Sequence, residues 1–513
     1  MSTPEVEKAP SAEDEGRISK DVEAHISVRL DDGDEALKIV LEEEGSVSMT
    51  PEEEAALLRK IDWHILPLLC IVYGLQYWDK TTLSYSSIMG IQTATHLVGQ
   101  QYSWLGSIFY FGYLAFEYPT NRLLQRLPLA KFTAFNIVVW GIVLACMAGT
   151  TNFAGLMVVR FFLGVFEASV SPGFALLMSQ WYRVNEQGVR TGLWFSFNGF
   201  AIIFGGLVAY ALAKDDQAHE LSIAGWKAVF VIAGCLTIAF GVVLYLVMPD
   251  SPLTARWLTP REKTMVIERI RGNNQGVGNK KFKLHQFIEA FMDIKTWLFV
   301  AFSLIADIPN GGLSNFFSLI ITSFGFTAQQ SLLYGCPAGA VEVITIIGFL
   351  WLGDKFNARL LFAAVSETIS LLGIVLIYAL PTSMKVGRLF GYYLTGASAT
   401  GIVTILSLIS SNVAGYTKKT TVAALYLIFY CVGNLIGPQV FQAKDAPRYT
   451  PALITIVVCF SLCILILLAI WYINHRENIR RDEMKSRGEY VHVPNQEFLD
   501  QTDLENKAFR YRC

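Results

Sequence analysis

Between residues 60 and 475 the chain alternates long apolar runs with short polar turns, and the runs are too long and too evenly apolar for strands or half-buried surface helices. Twelve of them can cross a hydrocarbon core of about 30 Å as helices. They fall at 64–88, 102–123, 132–150, 154–178, 190–213, 226–248, 296–320, 328–352, 359–380, 387–411, 420–442 and 451–473. One longer interruption, 249–295, is polar and basic and divides the runs six and six. The pattern predicts an all-α membrane protein of twelve transmembrane helices in two six-helix bundles joined by a linker, the layout of repeated helical halves. The expected domains are a disordered acidic cytoplasmic head over 1–60, an N-terminal bundle over 61–248, a cytoplasmic linker over 249–295, a C-terminal bundle over 296–473 and a cytoplasmic tail over 474–513.

Composition agrees with that layout. Of 513 residues, 53% are hydrophobic and 16% charged, where a soluble chain of this size carries about 25% charged residues. The head, with Asp31 to Glu35 and Glu42 to Glu44, cannot bury a core. Thr50 and Pro51 then read as the cap and first residue of a helix leading into the membrane. No apolar run follows a basic start at the N-terminus, so the first span is expected to direct insertion. Basic residues such as Arg122, Arg126, Lys131, Arg183, Arg190, Lys355, Arg359, Lys418 and Lys419 concentrate in loops on one side, which places both termini in the cytoplasm. After residue 474 a basic helix with Arg476, Arg480 and Arg481 is expected, followed by disorder. The net charge of −2 gives no sign of a nucleic-acid partner. Six of the eight cysteines lie in apolar spans as small buried thiols, and neither a disulfide framework nor a metal site is expected. No nucleotide loop or hydrolase motif is present, so neither a cofactor nor an enzymatic activity is expected.

The informative residues are charges inside the spans. The fourth span carries RFFLGVFEASVSPG from Arg160 to Gly173. A charge at that depth costs at least about 2.5 kcal/mol unless it faces protein or water. Arg160 and Glu167 are two helical turns apart on one face, with Gly164 between them. The first span carries Trp78-Asp79-Lys80-Thr81-Thr82. Counting about 1.5 Å per residue from opposite surfaces puts Asp79 and Arg160 at similar depth and Glu167 near the midplane. An Asp79–Arg160 pair would leave Lys80 free to meet an anion. The competing reading is a static ion-pair network that only fixes helix packing.

Other candidates are less specific. Glu117, at the inner end of the second span, is placed at a cytoplasmic gate or against a loop arginine. Asp354, Lys355 and Arg359, between the eighth and ninth spans, suit a charge latch, or a plain basic loop. Asn198, Asn310, Asn315, Asn434 and Gln439 are expected to line a cavity or to tie helices together. Bends are expected at Pro309 to Gly312 and at Gly433 to Pro438, where freed backbone would face a cavity. Glu342 and Glu367 are further carboxylates for coupling.

Taken together, several of these motifs are familiar. Tyr77-Trp78-Asp79-Lys80, the stretch EYPTN ending the second span, RFFLGVFEASVSPGF, RTGLWFSFNGFAIIFGG, LISSNVAGYTKKTT, GNLIGPQVF and DAPRYTPAL occur in this order over about 60 to 475. In them the chain resembles the fungal allantoate permease family, in the anion:cation symporter branch of the major facilitator superfamily. The resemblance implies the major facilitator fold, a central cavity and proton-coupled import of a small organic anion by alternating access. The cargo would be allantoate, ureidosuccinate, a short peptide or a carboxylate vitamin. It also implies that Asp79 and Glu167 carry protons, that Arg160 tunes Asp79, and that Lys80 contacts the cargo carboxylate. Lys80 stands where arginine is common, a point charge in place of a bidentate fork. Expected partners are the carboxylate, protons and the lipid bilayer, for a monomer in the plasma membrane. Two alternatives stay open: an exporter of a fungal metabolite, and a nutrient-sensing receptor that kept the fold without flux.

Overall fold

The computed structural model describes residues 49–124, 126–271, 282–487 and 501–513. The acidic head lies outside the described residues. Twelve helices cross the bundle. They are α1 (Pro51–Ile88), α2 (Gln101–Leu124), α3 (Leu129–Gly149), α4 (Phe153–Trp181), α5 (Val184–Gln217) and α6 (Gly225–Val247), then α7 (Ile294–Ser323), α8 (Ala328–Lys355), α9 (Arg359–Ala379), α10 (Lys385–Asn412), α11 (Tyr416–Val440) and α12 (Thr450–Ser486). Ten are apolar enough along their length to cross a membrane. The other two, α1 and α2, are long enough but more polar, because much of their surface faces protein. Large apolar side chains such as Leu246, Ile344, Val386 and Leu465 lie exposed on the outside of the bundle. A belt of this kind is stable only against lipid.

Local chemistry explains where the helices begin and break. At the start of α1 the Thr50 hydroxyl accepts from the Glu53 amide at 3.2 Å, while the Thr50 amide donates to the Glu53 carboxylate at 3.1 Å. This reciprocal cap, with Pro51 in the first turn, starts the helix well before the membrane. The bends expected in α7 and α11 are not breaks: α7 runs through Pro309, and α11 through Gly433 and Pro438. Their glycines let the two helices touch backbone to backbone; a Cβ on Gly437 would lie 2.5 Å from the Ile308 carbonyl oxygen. Interruptions occur instead in α4 after Glu167, in α8 at Cys336, and in α10 at a 3₁₀ turn, Gly396–Ser398.

The linker is structured in two pieces, one for each half. Helix Pro260–Arg271 lies on the N-terminal half, where Lys60 meets Glu262 at 2.8 Å and Arg269 bridges Glu54 and Glu186. Helix Leu284–Met292 lies on the C-terminal half, where Lys418 meets Glu289 at 2.9 Å and Asp293 at 2.8 Å.

The disorder expected for the tail does not extend to its last residues. Over 501–513 the chain returns to the C-terminal half, and Asp503 is almost wholly buried. Its carboxylate accepts from Lys295 at 2.8 Å, Lys418 at 2.7 Å and the Tyr511 hydroxyl at 2.7 Å. Arg481 at the end of α12 donates to the carbonyls of Asp503, Asn506 and Phe509. Burial pushes the Asp503 carboxyl up, but the two lysines more than offset it and hold the group below the usual carboxylate range.

Hydrogen bonds between the halves gather at the end of the bundle away from the chain termini. Ser84 pairs with Ser318 at 3.1 Å, Tyr102 donates to the Asn315 carbonyl at 2.7 Å, Ser103 to that of Phe441 at 3.1 Å, and Ser107 to that of Leu435 at 2.7 Å. Among the described residues none joins the halves at the opposite end.

Candidate functional site

The site begins with two glycines. A Cβ on Gly164 would stand 2.0 Å from the Phe109 carbonyl oxygen, and one on Gly112 would stand 2.1 Å from that of Phe161. Only hydrogen fits there, so α2 and α4 pack in backbone contact. That contact brings Arg160 to the Leu105 carbonyl, to which its Nε donates at 3.2 Å, and lays its guanidinium 5.7 Å from the centre of the Phe109 ring.

Four ionisable side chains from α1 and α4 then form two pairs. Arg160 lies 3.9 Å from Asp79, the outer limit of an ion pair, and both are buried. Asp79 is held more closely by Trp140 of α3, whose indole donates to Oδ2 at 2.6 Å, while Oδ1 has no hydrogen-bond partner. Lys80 is not left free, as the sequence suggests. Its Nζ lies 3.7 Å from Glu167 Oε1 and donates to the Tyr430 hydroxyl of α11 at 3.4 Å. Gln76, one turn before Lys80, donates to the same Glu167 oxygen at 2.9 Å, and Oε2 of Glu167 has no hydrogen-bond partner. Glu167 ends the first segment of α4, immediately before the two-residue interruption at Ala168 and Ser169.

The Lys80–Glu167 pair borders a cavity of about 100 Å³ between the halves. Its wall includes Tyr73, Gln76, Lys80, Asn198, Asn310 and Glu342. Asp79, Arg160 and Glu167 stand behind this wall, so a molecule in the cavity meets Lys80 and Gln76 before it meets either acid.

Two residues expected on the wall are elsewhere. Asn434 donates to the Asp307 carboxylate at 3.1 Å and accepts from Asn310 at 3.2 Å, and Gln439 donates to the Ser107 hydroxyl at 2.9 Å. Both tie helices together instead of facing cargo. Asn315 likewise uses its amide on its own helix, donating to the Gly311 carbonyl at 2.7 Å.

The gating candidates do not form one group. Glu117 is buried, makes no ion pair among the described residues, and leaves one carboxylate oxygen without a hydrogen-bond partner. Arg359 pairs with Asp354 and donates to Ser407 of α10 at 2.8 Å, while Lys355 lies over the Trp351 ring. All of these contacts fall inside the C-terminal half, so the cluster ties that half to itself and bolts no second half to it.

One acid of the site was missed. Asp307 in α7 is wholly buried, accepts from Asn310 and Asn434 at 3.1 Å each, and makes no ion pair among the described residues. Its signal was available: an acid two residues before Pro309 in an apolar run.

The comparisons with known proteins answer to this geometry. Residues 69–438 match the Major Facilitator Superfamily. The allantoate permease of Saccharomyces cerevisiae is 39% identical over 491 residues, covering 93% of this chain and 90% of that protein. The chain belongs to the allantoate permease branch of the Major Facilitator Superfamily. An uncharacterized transporter of Schizosaccharomyces pombe is 46% identical over 463 residues, 90% of each chain. A thiamine pathway transporter of Saccharomyces cerevisiae is 35% identical over 506 residues, covering 94% of this chain and 95% of its own. Among solved structures, a bacterial homolog of the human lysosomal transporter Spinster superposes with TM-score 0.59 at 16% identity, covering 82% of this chain and 96% of its own. As a member of the Major Facilitator Superfamily the protein is a multi-pass membrane transporter and not an enzyme. The paired charges of α1 and α4 therefore lie beside the cavity of a transporter.

Proposed function

We propose that this transporter imports a small organic anion together with a proton, by alternating access, across the plasma membrane with both termini in the cytoplasm. The observation that carries the reading is the Lys80–Glu167 pair at 3.7 Å, with the lysine on the cavity wall and the glutamate behind it. An ammonium in this position cannot give full strength to a cargo carboxylate while it also neutralises a carboxylate of the protein. A proton on Glu167 removes the competitor and releases Lys80 to the cargo. Cargo and proton then bind in mutual support, which is the linkage a symporter needs. Asp79 and Arg160 form the layer behind, with Trp140 fixing one oxygen of Asp79. The allantoate permease, 39% identical over 93% of this chain, supports an organic anion as cargo.

The test is uptake of labelled allantoate, ureidosuccinate and a dipeptide by yeast cells lacking their own carriers, at pH 5 and pH 7. Wild type is expected to accumulate at least one of them, more at pH 5, and Lys80→Ala to abolish accumulation with the protein still at the cell surface. Uptake by Lys80→Ala equal to wild type would remove the reading.

A further inference from the structure

The C-terminal half contributes to the cavity wall an acid with nothing to hold. Glu342 belongs to the second segment of α8, is 4% exposed, and lines the cavity with Ala338 one turn before it. Its carboxylate makes no hydrogen bond and no ion pair with any described residue.

The surrounding packing keeps it there. A Cβ on Gly339 would lie 2.2 Å from the Gly199 carbonyl oxygen, so α8 is in backbone contact with α5 beside Asn198 of the wall. On the other flank Gly396, in the 3₁₀ turn of α10, stands where a Cβ would come 3.7 Å from that of Glu342. The other titratable groups on the wall are the hydroxyls of Tyr73, Tyr77, Tyr110, Tyr392 and Tyr430, and the ammonium of Lys80, which Glu167 already holds. A buried carboxylate without a donor is costly, and the side on which this one meets open space is the cavity.

We infer that Glu342 is a specificity-determining anchor for the far end of the cargo. The cargo class is then a carboxylate that also carries a nitrogen group able to donate hydrogen bonds, either an ammonium or a ureido group. The inference rests on the reading in which Lys80 takes the carboxylate, and it adds the group that the second half of the protein recognises. An acid at this place rewards a cargo with N–H at that end over one without it.

The experiment is a fluorescence titration of the purified full-length transporter with three probes: butyrate, 4-aminobutyrate and 4-ureidobutyrate. At least one nitrogen-bearing probe is expected to bind about 10-fold to 100-fold more tightly than butyrate, the range of a hydrogen bond to a charged group. Glu342→Ala should erase that preference, and a monodisperse size-exclusion profile shows that the variant is folded. Glu342→Gln should erase it for the ammonium probe and keep part of it for the ureido probe, because the amide oxygen still accepts. Butyrate binding that Lys80→Ala abolishes, with no nitrogen preference in wild type or with the preference intact in Glu342→Ala, overturns this inference alone. Failure of all three probes to bind wild type overturns it together with the reading of Lys80.

Discussion

Replacing Glu167 by glutamine asks whether a proton and a carboxylate compete through Lys80. The change keeps the shape of the side chain and an acceptor for Gln76, but removes the charge 3.7 Å from the Lys80 ammonium. At an effective dielectric of about 20, unit charges at 3.7 Å attract by about 4 kcal/mol. Much of this is returned when Lys80 is left alone in a cavity that water can reach, so we expect about 1.4 kcal/mol, or tenfold, in cargo affinity. Glu167→Gln should therefore bind allantoate about tenfold more tightly than wild type at pH 7.5, with its affinity nearly unchanged at pH 5.5. In proteoliposomes it should exchange labelled for unlabelled allantoate at a measurable rate and fail to concentrate it when an inward proton gradient is imposed. Titration by tryptophan fluorescence and a paired counterflow and accumulation assay measure both quantities. Accumulation by Glu167→Gln at the wild-type level would refute the reasoning, since the proton would then have to travel elsewhere.

Three further outcomes follow from the packing. Asp503→Asn leaves Lys295 and Lys418 short of a buried partner and should cost up to about 3 to 5 kcal/mol of tail docking at neutral pH. Because the native carboxyl is held low, its contribution is complete above the ordinary value of about 3.9 and is lost only as pH falls through the lower native value. The wild-type melting temperature should thus exceed that of Asp503→Asn equally at pH 7 and pH 5, and a gap that closes between them would contradict the assignment. Gly164→Val drives side-chain atoms into the Phe109 carbonyl and should cost at least about 3 kcal/mol, seen as loss of monodisperse protein in size-exclusion chromatography. Tyr102→Phe removes donations to the Leu83 and Asn315 carbonyls. At about 1 kcal/mol for the bond that crosses the halves, it should raise labelling of a cysteine placed at Asn310, by an impermeant thiol reagent from the outer side, about fivefold.

The helices were legible because hydrocarbon imposes a length and excludes charge, so each span announces itself locally. The pairing of Asp79 with Arg160 was legible for the same reason, since depth along two opposed helices is simple arithmetic. Rotation about the helix axis was not. Asn434 and Gln439 look like Asn198 and Asn310 on paper, yet the first two turn toward α7 and α2 and the others toward the cavity. The bends expected in α7 and α11 fall within continuous helix, where their glycines serve close packing, whereas the helical bonding of α4 lapses at Ala168 and Ser169, just before Pro172, which has no N–H to return to the Ala168 carbonyl. The docking of the last thirteen residues depends on Asp503 meeting lysines more than 80 positions away, at 295 and 418, which no local pattern encodes. Asp307, an acid in an apolar run, is marked by the sequence as plainly as Asp79.

The seal between the halves has a consequence for how the carrier turns over. Its fasteners are neutral, alcohols on carbonyls and on one another from Ser84, Tyr102, Ser103 and Ser107 together with amides at Gln100, Gln329 and Gln439, each worth about 1 kcal/mol. The strong ionic clamps, at Arg269, Arg359 and Lys418, grip only their own side. Two stiff shells closed by a line of easily parted stitches can come apart along that line without either shell losing its shape.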